Sequence, residues 1–342
     1  MKVLSLTTRI VCGCLLILAD SIVVRDTCAG AEPNDTLLHA VSFYASFDEE
    51  IRGDFGAGDL LPQTRFDHPE QKGEFVFEKG YRSEAFRINR DKGQRGGSLE
   101  GLDVLPRRGR LFFPAKGNLA YDSSGWGGAA SFWLNTDPNT LLKTPFCDPI
   151  QITEKGANNG GLWVDFPDVK PRSFRLGAFR GVKEGGKGIS EDDPAAPLVH
   201  VKNVGFKSGD WHHVLMNWDR FDTGKDDAVA ALYIDGKRMG ELKNRDIAML
   251  WNLDHTGIYV GVNYIGLLDE LALFNRVLTD EEIARLAKDP GLLTSLKNAK
   301  PGDRDESEEN SLLRIPNSET TAISIVELET LARCGFRCLD GL

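Results

Sequence analysis

The stretch that most constrains this chain is its last clearly patterned one, Gly266-Leu267-Leu268-Asp269-Glu270-Leu271-Ala272-Leu273-Phe274-Asn275-Arg276-Val277-Leu278-Thr279-Asp280-Glu281-Glu282-Ile283. It reads as a buried β-strand running straight into a capped helix, with a carboxylate inside the strand. At a period of two, Asp269 shares its side with Leu271 and Leu273 and is expected to point inward. An inward carboxylate is costly to desolvate unless a cation or several donors meet it. The observation therefore bears on a fold and on a metal site, and it names no reaction. The helix carries full start signals: Thr279 as N-cap, Glu282 three residues on to close a capping box, and Leu278 placed to staple against Ile283. Ile283, Leu286 and Ala287 form a short apolar stripe, and Pro290-Gly291 ends it.

Upstream, strand-like runs are punctuated by Gly, Pro and Asp. They are Val41 to Phe47, Gly73 to Glu78, Arg110 to Phe113, Ala129 to Leu134, Pro149 to Thr153 and Leu162 to Phe166. Ser173 to Phe179, His212 to Trp218, Ala228 to Ile234, Ile258 to Val260 and Leu267 to Phe274 follow. Many short strands with one helix predict an all-β antiparallel sandwich or barrel. Asp235-Gly236 suits the positive φ angles of a two-residue hairpin turn. The connection from Gly181 to Pro197, rich in Gly, Pro and acid, reads as a surface loop.

The N-terminus reads as an export signal over residues 1–31. Lys2 and Arg9 supply charge, Val11 to Ala19 is a short apolar core, and Ala29-Gly30-Ala31 offers a small-residue cleavage site. An uncleaved anchor is the alternative. Removal of the signal takes Cys12, Cys14 and Cys28 with it. Cys147, Cys334 and Cys338 are then too few for a disulfide framework, so the fold has to rest on its core. The formal net charge of −10, with no basic stripe among aromatics, argues against a nucleic acid partner. The expected organisation is a signal peptide at 1–31, one β domain at 32–290, and a partly disordered tail at 291–342 with a helix at 318–334.

Five segments in order resemble the LamG-like jelly-roll domains of the concanavalin A-like lectin/glucanase superfamily. They are Phe43-Tyr44-Ala45-Ser46-Phe47-Asp48, Ala130-Ser131-Phe132-Trp133-Leu134, Trp211-His212-His213-Val214, Leu232-Tyr233-Ile234-Asp235-Gly236 and Gly266 to Ile283. The resemblance spans roughly residues 38–290 and implies a two-sheet antiparallel jelly-roll sandwich with a short C-terminal helix. It also implies a structural calcium near the junction of first and last strands, with Asp269 and Asp48 as its ligands. The alternative is that Asp269 accepts backbone N–H bonds, or pairs with an arginine such as Arg276, with no metal.

For a ligand site, two groupings place an aromatic ring beside polar side chains, as sugar binding requires. One is Trp163 with Asp165, preceded by Asn158 and Asn159; the other is Trp251 with Asn252, Asp254 and His255. Trp133, Trp211 and Trp218 match core positions. His212 and His213 have opposed parity and cannot act as a pair. The Glu-x-Asp-x-x-Glu pattern of laminarinase-type glucanases is absent. The function expected is an exported noncatalytic binding module for carbohydrate or a glycosylated, cell-surface partner. A divergent glycoside hydrolase or polysaccharide lyase is a second class, and a structural or adhesive surface protein a third. Calcium has a direct test: Asp269→Ala should abolish any calcium-dependent rise in melting temperature, and a melt indifferent to calcium and EDTA in the parent protein removes the metal altogether.

Overall fold

The computed structural model describes residues 33–299. The export signal, Cys12, Cys14, Cys28, Cys334 and Cys338, and the expected helix at 318–334 lie outside the described residues.

The chain opens with a helix, α1 (Pro33–Ala40), and continues as strands β1 (Val41–Ala45), β2 (Phe55–Gly56), β3 (Gln63–Asp67), β4 (Phe75–Lys79), β5 (Phe86–Asn89), β6 (Ser98–Gly101) and β7 (Arg110–Pro114). Next come β8 (Trp126–Asn135), β9 (Cys147–Gly156), β10 (Asn159–Phe166), β11 (Phe174–Phe179) and β12 (Leu198–Val201). The last strands are β13 (His212–Phe221), β14 (Ala228–Ile234), β15 (Lys237–Arg245), β16 (Gly257–Val262) and β17 (Gly266–Phe274), followed by α2 (Asp280–Lys288) and a short 3-10 turn at Thr294–Asn298. All eleven strand-like runs of the sequence are strands here. The additions are α1 and six strands that sequence periodicity passes over: β2 and β6 are too short to show a period, and β15 is a largely exposed, polar run.

Two antiparallel sheets form a sandwich. The first runs β15-β14-β13-β8-β17-β1-β2, with β6 also against β17 and β5 against β6; the second runs β12-β11-β10-β9-β16-β7-β3-β4. The side chains between them, among them Phe43, Phe113, Phe132, Ile150, Val164, Leu176, Val214, Ile258 and Leu271, form one large buried core. The turn at Asp235-Gly236 has φ of 50° and 73°, the left-handed pair that a tight hairpin needs.

A second apolar cluster covers the outer face of the first sheet. Leu37 and Ala40 of α1, Ile283 and Leu286 of α2, and Leu293 and Leu296 beyond it bury Tyr44, Ala129, Leu215, Ala231 and Phe274. Packing thus extends past Pro290. The outer face of the second sheet receives no helix among the described residues.

Strand β17 departs from a strict period of two. Its register with β8 skips between Asp269 and Ala272, and Glu270 has φ of 51°. This bulge keeps Leu268, Leu271 and Leu273 in the central core. Asp269 instead lies opposite Trp133, whose neighbours Phe132 and Leu134 take the core positions. Asp269 is fully buried, as expected, but it does not share a face with Leu271 and Leu273.

The start of α2 is as the sequence specifies. Thr279 accepts from the Glu282 N–H, and the Glu282 carboxylate accepts from the Thr279 N–H and, bidentately, from Arg276. Asn217 exchanges two hydrogen bonds with the Leu278 backbone, which fixes the helix to β13. Replacing Thr279 by Ala is expected to cost about 1 kcal/mol in chemical denaturation, because a helix-end donor loses its acceptor while the apolar face is untouched.

Candidate functional site

On the second sheet, residues that alternate with the core side chains point outward and form consecutive cross-strand neighbours. Trp163 pairs with Gln151, Gln151 with Tyr259, and Tyr259 with Phe112. Next to this row, Arg65 of β3 and Arg110 of β7 are register partners. Phe75 and Phe77 of the edge strand β4 share the same outward side, being opposite Asp67 and Arg65.

Phe77 is 57% exposed and Phe75 40% exposed, both high for phenylalanine. Phe77 meets Phe112 edge-on at 6.0 Å. The Arg65 guanidinium lies 4.2 Å from the centroid of Phe75 and 4.9 Å from that of Tyr259, and the residue is only 5% exposed. Burial lowers its pKa, Tyr259 opposes that shift, and the charge of Arg110 adds to it. Arg110 donates from Nη1 to Oε1 of Gln151 at 3.5 Å, while Gln151 Nε2 is buried with no partner among the described residues. Arg65, Arg108 and Arg110 border a cleft of about 970 Å³, walled by residues 67–75 and 155–159 with Val182, Gly186 and Gly188 of the long loop.

The other half of this face is acidic. Between Phe166 and Val164 of β10, strand β9 carries one extra residue, so Cys147 and Ile150 both reach the core and Asp148 sits in the bulge next to Asp165. Arg175 holds Asp165 bidentately at 2.8 and 2.6 Å and reaches Glu191 of the long loop at 2.7 Å. Burial raises both Asp148 and Asp165, and the Asp165 charge raises Asp148 further.

The two groupings singled out from the sequence flank one hairpin. Trp163 donates its indole N–H to Ala157 O at 3.0 Å, and Trp251 donates to Gly160 O at 2.7 Å. Trp163 is 1% exposed, stacked on Phe179 and overlain by Arg175, so neither ring face is an open platform. Asp165 is committed to Arg175. Trp251 belongs to the main core beside Tyr121 and Trp126. Asn252, Asp254 and His255 are exposed on the adjoining turn, where Asn252 N–H donates to Glu154 and Asp254 pairs with Lys116 at 2.7 Å. Trp211, expected in the core, is half-buried at the entrance to β13. His213 is buried against Ser131, whereas His212 meets Asp235, on opposite sides as expected.

Asp48 and Asp269 bracket a single loop. Asp269 Oδ2 accepts from the N–H groups of Gln94 and Arg95 at 2.7 and 3.0 Å, and Oδ1 accepts from Glu270 N–H at 2.9 Å. Asp48 Oδ1 accepts from Gly97 N–H at 2.8 Å, and Lys297 pairs with its other oxygen. Both carboxylates are thus occupied by donors, the metal-free arrangement weighed above for Asp269. No group of three or more His, Cys, Asp or Glu suited to a metal occurs among the described residues. This donor set does not fit calcium, which needs six to eight free oxygens.

Residues that sequence reasoning passed over carry most of the outward face: Arg65, Phe75, Phe77, Arg110, Asp148, Gln151, Arg175, Glu191 and Tyr259. Parity offered a signal for some of them, since Trp163 and Asp165 alternate with Leu162, Val164 and Phe166, and Arg175 precedes Leu176.

Residues 123–284 match a family model, Laminin_G_3, described as the concanavalin A-like lectin/glucanases superfamily. The resemblance carried by the sequence motifs holds over that stretch. No curated protein matches the chain. Among solved structures, domain 4 of AbnA, a GH43 extracellular arabinanase from Geobacillus stearothermophilus in complex with arabinotriose, is 17% identical, with a TM-score of 0.42 over 72% of this chain and 98% of that one. The CBM40 of the Ruminococcus gnavus IT-sialidase, bound to α2,3 sialyllactose, is 11% identical, with a TM-score of 0.39 over 56% and 96%. The binding domain of Botulinum neurotoxin DC, in complex with rat synaptotagmin II, is 15% identical, with a TM-score of 0.41 over 66% of this chain and 50% of that one.

The buried acids give the fold a pH dependence. Burial raises Asp269 to about 7, against its three N–H bonds, and raises Glu270 to about 8, against its bond from Tyr44 and with the Asp269 charge adding. Asp54 also pushes Glu270 up, and Arg95 opposes. The folded state therefore holds these protons more tightly than the unfolded chain, whose carboxyls titrate near about pH 4. The associated stability is complete below that pH and is lost as pH rises through about 7 to 8. Melting temperature should fall between about pH 5 and pH 8.5. Glu270→Gln, which keeps a group facing Tyr44, should flatten the fall; an unchanged slope assigns the dependence elsewhere.

Proposed function

We propose that this protein is an exported, noncatalytic binding module that takes a carbohydrate on the outer face of its second sheet. The observation that carries this reading is the exposed ring of Phe75 beside the guanidinium groups of Arg65 and Arg110 at an open cleft, with the exposed ring of Phe77 on the same sheet face beyond its border. Sugar rings present C–H faces that stack on aromatics and hydroxyls that accept and donate hydrogen bonds, so a binding site needs flat apolar surface beside fixed polar groups. Among the described residues, helices cover the outer face of the first sheet and none covers this one. Export is supported by the pattern of residues 1–31, and no described helix is long and apolar enough to cross a membrane. A glycosylated or cell-surface partner would be read through the same chemistry.

One observation favours a second reading, a divergent glycoside hydrolase or polysaccharide lyase. Asp148 and Asp165 are neighbouring outward carboxyls that burial drives toward the protonated form, and only Asp165 has a bidentate arginine to keep it ionised. A protonated and an ionised acid side by side is the requirement for general acid–base work on a glycosidic bond.

Affinity electrophoresis of residues 32–342 through gels holding different polysaccharides separates the readings. Retardation by a polymer supports binding, and Phe77→Ala should weaken it roughly fivefold through loss of a stacking face. Degradation of a polymer, abolished by Asp148→Asn, supports the hydrolytic reading. Passage through every gel unretarded overturns both and leaves the structural or adhesive role.

A further inference from the structure

We infer that Arg65 and Arg110 form an oxyanion subsite and that the carbohydrate taken by this cleft is acidic, bearing carboxylate or sulfate groups. This rests on the carbohydrate reading above and narrows it to a ligand class.

The other buried arginines of this protein are compensated where they are buried. Arg172 is buried and gives its Nη atoms to four backbone carbonyls, those of Phe166, Pro167, Leu142 and Thr144. Arg175 is met by the carboxylates of Asp165 and Glu191. In both cases the charge is compensated at the point of burial, as the cost of desolvation requires. Arg65 and Arg110 break this pattern. They are direct register partners on adjacent antiparallel strands with side chains on one face, which sets like charges side by side at a cost. Neither forms an ion pair among the described residues; Asp67, two residues along β3 from Arg65, pairs with Arg108 at 3.5 Å and acts on Arg65 only through its charge. Asp148 acts on Arg110 only at longer range and is itself driven toward its neutral form by burial and Asp165.

The geometry also says what would complete the pair. Phe75 and Tyr259 lie against the Arg65 guanidinium and the Tyr259 hydroxyl takes one of its donors, so the remaining in-plane donors are left to suit a planar carboxylate or the edge of a sulfate. Arg110 is oriented by Gln151 Oε1, which fixes the amide with Nε2 as a further unpartnered donor beneath it. Arg108, Lys72 and Lys155 line the same cleft against Asp67, Glu70 and Glu74, so with Arg65 and Arg110 the lining is net positive. A directly paired oxyanion is thus missing from both guanidinium groups in a cleft that already holds the Phe75 ring for a sugar to stack on. The chain as a whole carries −10, so an acidic polymer is repelled except where a local site attracts it.

The test is affinity electrophoresis of residues 32–342 in polygalacturonate, in dextran sulfate and in a neutral series of laminarin, xylan and dextran. The expected result is retardation by an acidic polymer, weakened roughly thirtyfold or more in Arg65→Gln and in Arg110→Gln. The half-exposed Arg110 provides a variant that keeps the parent melting temperature if Arg65→Gln does not fold. Lys225→Gln, in the exposed loop between β13 and β14, should leave retardation unchanged. Which polymer binds distinguishes carboxylate from sulfate. Retardation by a neutral polymer alone overturns the acidic class while the carbohydrate reading stands. Acidic retardation that both arginine variants retain, or that polyphosphate or duplex DNA matches, overturns the subsite. Absence of any retardation overturns the underlying reading as well.

Discussion

A carboxylate held by three backbone N–H groups organises the first sheet. Strand β17 is the last strand in the chain and a central one in space, and one of its edges is shared: β6 occupies it at Gly266 to Leu268 and β1 at Leu271 to Phe274. Between those partners lie Asp269 and Glu270, where the edge would otherwise be left without acceptors or donors. The bulge at Glu270 turns Asp269 toward the loop that leads into β6, and its oxygens take the N–H groups of Gln94 and Arg95. A buried acid thus does the work of a strand, stitching the hand-over from one neighbour to the next. The upward shift of its pKa is the consequence of placing a carboxyl there with dipoles and no full cation.

This closure decides which surface remains for function. Once β17 sits between β8 and β1, the chain leaving it at Phe274 passes across the outer face of the first sheet, and the capping box at Thr279 starts α2 there. Asn217 and Leu278 lock that crossing. With α1, α2 and the residues after Pro290 laid on one side, the apolar demand of that face is met internally. The second sheet keeps a polar and aromatic outer face, in which Trp163, Gln151, Tyr259 and Phe112 stand in a row and charged side chains flank it. Loops 67–75, 155–159 and 180–197 rise at its borders.

Much of this was legible in the sequence where local chemistry and long-range packing agree. Asp235-Gly236 could only be a tight turn, Thr279 with Glu282 could only start a helix, and the alternation through Leu162, Val164 and Phe166 fixed which side of β10 was core. The reading lost its hold at bulges. Counting by twos from Leu271 put Asp269 on the core side, and one inserted residue at Asp148-Pro149 hid a second outward acid, because a bulge changes parity without changing composition. Rings were the other difficulty: a tryptophan beside glycines suggests an accessible platform, but the absent glycine side chains let Trp163 lie flat over Gly177 and bury itself. The accessible rings are instead on β4, an edge strand whose phenylalanines look like ordinary core residues in the one-dimensional string.

The distribution of charge across the outer face has a logic that follows from burial. Arg175, Asp165 and Glu191 neutralise one another at contact distance, so that end is held by its own residues and gains little from a charged ligand. At the other end, Arg65 is just as withdrawn from water, yet it lies against rings and beside a second arginine, and Asp67 acts on it without forming an ion pair. Rings lower the cost of burying a guanidinium through its faces, and the Tyr259 hydroxyl takes one donor, but no carboxylate among the described residues pairs with the others. A group arranged in this way is most stable when an acceptor arrives from outside, and the affinity it contributes depends on having been kept dry beforehand. The same burial that makes Arg65 expensive in the free protein is therefore what would make it selective, since a neutral hydroxyl returns less of that cost than an oxyanion does.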